Sequence, residues 1–480
     1  VKILLVQPPD SHIITTNVPA VVDEETGLYP PLGLLYVAAF AETNTSHSVE
    51  ILDCLAERIE HERIADTIRE RKPDLVGIQA MTFTLIDAVL TAKAVKEANP
   101  SIPVLLGGPH VYIYPEETLS IPQVDYILRG EAEETFSQFL ETLDSGGDLR
   151  LIPGLGYKQN GEIRLNPLPP LLSDLDRLPL PARHLVPQER YYSVLAKATP
   201  ITTMMTSRGC PMRCIFCDRP HLGKTFRYRS AESVVREMEL CANSGIKEIF
   251  VYDDTFSIRK DRVLEVCRSI QEKRLKIHWD IRAHVNTMDE KVLDALAEAG
   301  CIRIHYGVES GNPDILKILR KGIDLKHTER VFRMTRERGI ATLAYFMIGN
   351  PTETVDQIED TFRFARKLNP DYAHIAITTP FPATELYRLG LETGLYERDF
   401  WRDFACDPRP DFVPRVWDEL LTREELIALM QQGYRRFYMR PGYLVRRVIA
   451  VRSWDEFLRK AKAGFRLLRM KKSGGLKHPT

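Results

Sequence analysis

Three cysteines, Cys210, Cys214 and Cys217, fall within eight residues as C-x3-C-x2-C in Ser207-Arg208-Gly209-Cys210-Pro211-Met212-Arg213-Cys214-Ile215-Phe216-Cys217. Three thiolates this close suit soft iron, and a four-iron (4Fe-4S) cluster normally takes four cysteines, so three leave one iron open. An open iron can chelate the amino and carboxylate groups of a bound molecule and place its sulfonium beside an electron donor. The competing reading is structural zinc. Zinc asks for four ligands in paired short spacings, and no second pair follows, leaving only His221 in the adjoining loop as a fourth ligand. Cys54, Cys241, Cys267, Cys301 and Cys406 stand singly in apolar surroundings and read as core thiols. So uneven a distribution excludes a disulfide framework and points to a reducing compartment.

Such a loop has to hang from a scaffold, and 480 residues allow two large units and a smaller terminal piece. Over 1–145, strand and helix patterns alternate, with strands expected at 3–6, 49–53, 75–79, 104–106 and 126–128 and helices near 32–42, 63–71, 86–97 and from Glu133. Five strands separated by helices predict an open, doubly wound parallel sheet, whose ligands gather at the carboxyl ends of the strands. Residues 146–200 are proline-rich and read as a linker with short local structure. Alternation resumes over 201–392, with strands at 202–207, 248–252, 278–282, 303–308, 342–348 and 372–378. Six β/α units predict a partial (β/α)6 barrel of the TIM type, which carries its chemistry where the strands end. Residues 393–480 read as mostly helical.

The cysteine loop, with Phe216 just before its third cysteine, resembles the radical SAM superfamily, whose members cleave S-adenosylmethionine (SAM) reductively. The resemblance extends to later strand ends. Asp253 and Asp254 follow the second strand, where the family recognises the methionine amino group. Gly307-Val308-Glu309-Ser310-Gly311 ends the fourth strand, which implies that Glu309, with Ser310 beside it, faces the SAM ribose or methionine. Phe346-Met347-Ile348-Gly349-Asn350-Pro351-Thr352-Glu353-Thr354 is similar to the fifth-strand motif that packs on adenine, through Ile348 and Gly349. Thr379-Pro380-Phe381-Pro382-Ala383-Thr384 matches the sixth, with Ala383 where glycine is more usual. Taken one at a time, Glu309 or the Asp253-Asp254 pair could be helix caps and Gly349 a turn glycine.

Residues 1 to about 390 together resemble the cobalamin-binding subgroup of that superfamily, which makes the front sheet a Rossmann-like cobalamin domain. Gly107-Gly108 after the fourth strand lets a corrin or nucleotide loop approach the backbone, and Arg129-Gly130-Glu131-Ala132-Glu133 after the fifth is also similar to the subgroup. Thr82 lies at the third strand end. Asp10-Ser11-His12 partly matches the D-x-H-x-x-G motif that supplies histidine to cobalt in some cobalamin proteins, but Thr15 replaces the glycine. The alternative is a sheet that has kept its architecture without the cofactor.

The resemblance implies a 4Fe-4S cluster, SAM and cobalamin as cofactors, and a 5′-deoxyadenosyl radical that attacks an inert C–H bond. C-methylation of a small or lipid-like substrate is expected, with radical cyclisation or carbon–carbon coupling as the alternative. Members similar in layout include the anaerobic magnesium-protoporphyrin ester cyclase and hopanoid-modifying enzymes. A methylthiotransferase acting on RNA would carry further clustered cysteines. The partners expected are the substrate and a reductant such as flavodoxin or ferredoxin. No stretch of about 20 apolar residues occurs, so a cytoplasmic protein is expected. From Arg435 onward fourteen Lys or Arg face only Asp455 and Glu456. Trp454, Phe457, Leu458, Ala461, Phe465 and Leu468 recur there at helical steps, as in a helix lying on an anionic membrane or packed on the barrel. Nucleic acid is not expected, because the rest of the chain is acidic.

Overall fold

The computed structural model describes residues 1–14, 27–217 and 223–444. Thr15, His221 and the amphipathic tail pattern from Trp454 onward lie outside the described residues. The front unit comprises β1 (Lys2–Gln7), α1 (Leu32–Asn44), β2 (Ser48–Asp53), α2 (His61–Arg71), β3 (Leu75–Gln79), α3 (Leu85–Ala98), β4 (Val104–Gly107), β5 (Tyr126–Leu128) and α4 (Glu133–Ser145). β1 is buried along its four central residues, the continuous apolar run that a strand covered on both faces requires. Ile3 and Leu5 face α1 and α4, while Leu4 and Val6 face α2 and α3. The strand order 2-1-3-4-5 places a topological switch point between β1 and β3.

The sheet does not stop at five strands. β6 (Leu155–Gln159) and β7 (Glu162–Leu165) add to β5 antiparallel, giving seven strands in the order β2-β1-β3-β4-β5-β6-β7. They fall in the stretch read as a linker. The turn joining them is Asn160-Gly161 with φ of 53° and 80°, the left-handed pair that closes a two-residue hairpin.

The second sheet is β8 (Ile201–Met204), β9 (Glu248–Val251), β10 (His278–Ala283), β11 (Cys301–Glu309), β12 (Ala341–Ile348) and β13 (Tyr372–Ile377). Neighbours are parallel and in chain order, so the sheet is a barrel left open between β8 and β13. Amphipathic helices cover its outside, including α5 (Ala231–Asn243), α6 (Lys260–Glu272), α7 (Glu290–Glu298), α8 (Leu325–Glu337), α9 (Val355–Leu368) and α10 (Glu385–Glu392). α9 starts at a reciprocal cap between Thr354 and Gln357 and buries Ile358, Phe362 and Ala365. Full burial of each such aliphatic or aromatic side chain is worth roughly 1.5–3 kcal/mol.

The free edge of β13 is covered by α11 (Arg423–Tyr438). Tyr434 Oη accepts from the Ile375 N–H at 2.9 Å and donates to the Ile375 carbonyl at 3.1 Å. Tyr438 Oη does the same with Ala373, at 3.0 and 2.8 Å. Two phenols thus replace the missing strand and satisfy a row of backbone groups that would otherwise template aggregation. The C-terminal region also reaches the front unit. Trp401 is fully buried, the Tyr114 hydroxyl donates to Asp399 at 3.2 Å, and Arg402 pairs with Glu117 at 2.6 Å.

Candidate functional site

β8 ends three residues before the expected 207, and the bend has a cause. Asp253, after β9, is fully buried and accepts from the backbone N–H of Thr206 and Ser207 at 2.6 and 3.0 Å and from their hydroxyls at 2.5 and 2.6 Å. Four donors saturate that carboxylate. Asp253, expected to meet an amino group, here shapes the turn into the cysteine loop. Asp254 beside it is exposed, and the Cys210 sulfur sits 3.7 Å from the Thr255 hydroxyl.

Cys210 and Cys214 are buried and Cys217 is exposed. The loop is held from both sides, by the Ile215 N–H on the Leu319 carbonyl at 3.2 Å and by the Leu386 N–H on the Ile215 carbonyl at 2.9 Å. Three thiolates on one loop suit a cubane, whose irons take one cysteine each and can leave one corner open, better than a zinc that asks for four ligands.

Glu309 closes β11 in the left-handed region at φ 67°, unusual for a residue other than glycine. Its carboxylate accepts from Lys321 Nζ at 2.9 Å, and both side chains are 9% exposed. A Cβ on Gly307 would lie 2.7 Å from that ammonium, so a larger residue there would push the pair from its position. Lys321 lies over the Phe216 ring at 6.0 Å. Burial opposes its charge, but Glu309, Cys214 and Cys217 outweigh burial and hold the ammonium above its ordinary value. Lys321 therefore joins Glu309, Phe216 and two cysteines into one electrostatic unit. No motif marks it in the sequence, where it stands twelve residues beyond Glu309.

Ser310 is fully buried against α9, its hydroxyl 3.0 Å from that of Thr361, so it anchors the strand end and does not face an open site. Ile348 is also fully buried. Gly349 has φ 72°, and a Cβ there would lie 2.8 Å from Leu426 of α11. The fifth-strand motif is thus set by the C-terminal helix.

Within that motif Glu353 is 1% exposed, and its Oε2 accepts from the Asn350 backbone N–H and side-chain amide at 2.9 Å each. Burial pushes its carboxyl from 4.5 up to about 7. The folded state thus holds this proton longer than the unfolded chain. Stability is lost as pH rises from 4.5 to about 7, by about 3 kcal/mol in all. Denaturation across that window should show Glu353→Gln gaining on the parent chain with rising pH. Parallel curves would show that the carboxyl ionises without penalty.

Ala383, at the sixth-strand end, has φ 64° and is exposed. The backbone keeps the conformation glycine prefers although the residue has a Cβ. Ala383→Gly should raise stability by up to about 1 kcal/mol, since relieved strain of about 1–2 kcal/mol is partly offset by unfolded-state entropy. A lower melting temperature would contradict the strain.

A cavity of about 360 Å³ opens on the α1 and α4 face of the front sheet, at the strand ends around the switch point. Gly107, Gly108, Gly130 and Glu131 line it, and Met205 and Arg208 form its barrel-side wall. Gly108 has φ 121°, and a Cβ would meet the Ala80 carbonyl oxygen at 2.6 Å, whereas a Cβ on Gly107 would meet nothing within 4 Å. One glycine is demanded by the fold and its neighbour leaves open space, a backbone cradle that fits a corrin or its nucleotide tail.

Glu131 has a second duty. It pairs with Arg208 at 2.8 Å and with Arg227 at 2.8 Å and accepts from the Leu172 N–H at 2.7 Å. Arg208 also pairs with Glu133. Burial disfavours the Glu131 charge, but hydrogen bonds from Arg227 and the charge of Arg208 hold its carboxyl below its ordinary value. Its carboxylate is engaged by these protein partners, so besides lining the cavity Glu131 acts as a latch between front unit and cysteine loop. Arg208, Arg227 and Glu133 were not expected as site residues, although Arg208 stands two residues before Cys210.

Thr82 and His12 are absent from the cavity wall. The buried Thr82 hydroxyl is spent 3.2 Å from His110 Nδ1. His12 Nδ1 is held 2.9 Å from Asp87 of α3, on the other side of the sheet from α1 and α4.

Residues 204–365 match the Radical SAM superfamily and residues 18–140 the B12 binding domain. An uncharacterized methyltransferase of Pyrococcus horikoshii is 37% identical over 448 residues, which cover 93% of this chain and 94% of that protein. An anaerobic magnesium-protoporphyrin IX monomethyl ester cyclase of Rubrivivax gelatinosus is 28% identical over 88% of this chain and 76% of that one. Among solved structures, the cobalamin-dependent SAM radical enzyme OxsB has a similar fold at 17% identity, with a TM-score of 0.73 over 97% of this chain and 71% of that one. The two matched domains bring a 4Fe-4S cluster, SAM and cobalamin as cofactors, consistent with the donors and the cradle described above. The chain belongs to the radical SAM superfamily, in the group that carries a B12-binding domain ahead of the barrel.

Proposed function

We propose that this enzyme methylates an unactivated carbon of a small or lipid-like substrate. The observation that carries the reading is the shared wall: Arg208 and Met205, on the approach to Cys210, also bound the cavity of Gly107 and Gly108. Substrate carbon, corrin and SAM can then meet across one short segment. When bound, the cofactors supply an electron to SAM, a 5′-deoxyadenosyl radical and a transferable methyl group. The protein's work is positioning. Cys210, Cys214 and Cys217 would hold the cluster, and the Glu309–Lys321 pair presents a fixed carboxylate for the ribose or methionine. Ile348 and Gly349, packed within the protein, shape the strand end proposed to face adenine, and Glu131 with Arg208 keeps the two domains in register. The 37% identity to a methyltransferase supports this choice. Similarity to the cyclase supports ring formation as the second reading.

Anaerobic protein with reconstituted cluster and cobalamin, given SAM and a reductant, should form 5′-deoxyadenosine and pass label from methyl-labelled SAM into a product. Deoxyadenosine with unlabelled product would favour cyclisation, and its absence would defeat both readings. A flavodoxin or ferredoxin serves as reductant in this proposal, in the cytoplasm. The basic C-terminal tail rests on the anionic inner face of the membrane. Flotation with anionic liposomes before and after deleting residues 450–480 tests that contact, and equal flotation would remove it.

A further inference from the structure

His12, whose surroundings match the cobalt-ligand motif only in part, lies with His61 and Asp87. Asp87, in the first turn of α3, is fully buried. Its Oδ1 is 2.9 Å from His12 Nδ1 and 2.7 Å from His61 Nε2. The His12 backbone N–H also donates to both carboxylate oxygens, at 3.2 and 3.1 Å. His61 is the first residue of α2, and His12 lies in the turn after β1, so three separate elements converge here.

Among the described residues, only this trio gathers three ligating atoms within 4.8 Å of one another. Asp10 and Glu60 add two carboxylates whose charges act at the same place. No Lys or Arg among the described residues pairs with Asp10, Glu60 or Asp87, and the ionic partners of Asp87 there are the two imidazoles. Buried carboxylate charge without a fixed cation is costly unless something positive compensates it. Two imidazole nitrogens and one carboxylate are the donor set of borderline divalent metals, zinc foremost.

We propose that His12, His61 and Asp87 form a divalent-metal site, best suited to zinc, separate from the iron and corrin sites. The metal ties the turn after β1 to α2 and α3, with water or Asp10 in the fourth position. Loading exchanges the imidazole–carboxylate hydrogen bonds for metal bonds, and the single proton of each neutral ring moves to the nitrogen away from the metal, His12 Nε2 and His61 Nδ1. His61 Nδ1 is buried and without a hydrogen-bond partner, so it is free to take that proton.

The test uses the full chain with its cluster reconstituted, stripped of loose metal on a chelating resin and dialysed against buffered zinc. Zinc and iron are counted together. The parent chain should hold one zinc per chain at submicromolar free metal. His12→Ala and His61→Ala should each weaken it by more than about 100-fold, beyond the cost of losing an outer-shell partner, with iron content unchanged. A chain with Cys210, Cys214 and Cys217 all changed to Ala should still bind it. No zinc in the parent, equal zinc in the histidine variants, or loss of zinc with the cysteines would each overturn the site. X-ray absorption at the zinc edge of the parent chain keeps the question open to refutation should the variants misfold. A shell of nitrogen and oxygen alone, near 2.0–2.1 Å, is expected, and sulfur near 2.3 Å would refute it.

Discussion

Lys321→Gln should abolish SAM cleavage while leaving iron content unchanged. The ammonium is the buried cation beside Glu309, and its charge is also felt at Cys214 and Cys217. Glutamine keeps a hydrogen-bond donor and loses the charge, so Glu309 becomes a buried carboxylate without its partner. Breaking a buried pair from one side costs about 3–5 kcal/mol. The variant can offset part of that by taking up a proton on Glu309, which removes the charge offered to SAM. Equilibrium dialysis should show SAM affinity falling by roughly 100-fold, about 3 kcal/mol of lost charge-assisted contact, together with a lower melting temperature. The double variant Lys321→Gln, Glu309→Gln separates the two effects. With both charges gone, stability should largely return and SAM binding should not. Parental affinity in either variant would show that the pair is structural only.

Arg208→Ala should have a comparable effect on stability and a different one on cofactors. Arg208 is 6% exposed, pairs with Glu131 and Glu133, and stands on the wall of the front cavity. Its loss leaves Glu131 with Arg227 and, among the described residues, Glu133 without an ion pair. The expected cost is again about 3–5 kcal/mol. Because the same arginine borders the cysteine loop, corrin retention and iron content should fall together, read as cobalt and iron per chain after gel filtration. Loss of cobalt with full iron would mean that the latch serves the cavity alone. Full retention of both would show that the interface holds without it.

The cysteine loop was legible because its ligands are adjacent in sequence, and local spacing is all that a cluster loop needs. The same holds for the strands. β3 and β5 match their expected bounds because an apolar run between turn signals is local information. The hairpin of β6 and β7 has a local signal in Asn160-Gly161, but it stands in a proline-rich stretch that reads as a linker. Strand-end motifs placed Glu309 and Gly349 at the mouth of the barrel and could not say what touches them.

That second kind of fact came only from the tertiary structure. Asp253 looked like a ligand by position and is saturated by Thr206 and Ser207. Glu131 looked like a cofactor contact and is held by two arginines. Lys321 carries no motif and stands at the centre of the site, and His12 turned from the corrin side to Asp87. Sequence determines which residues have the chemistry, because reactivity and backbone propensity reside in the residue and its neighbours. Folding decides which of those groups remain available, because a carboxylate or imidazole has few hydrogen-bonding positions and distant parts of the chain compete to fill them.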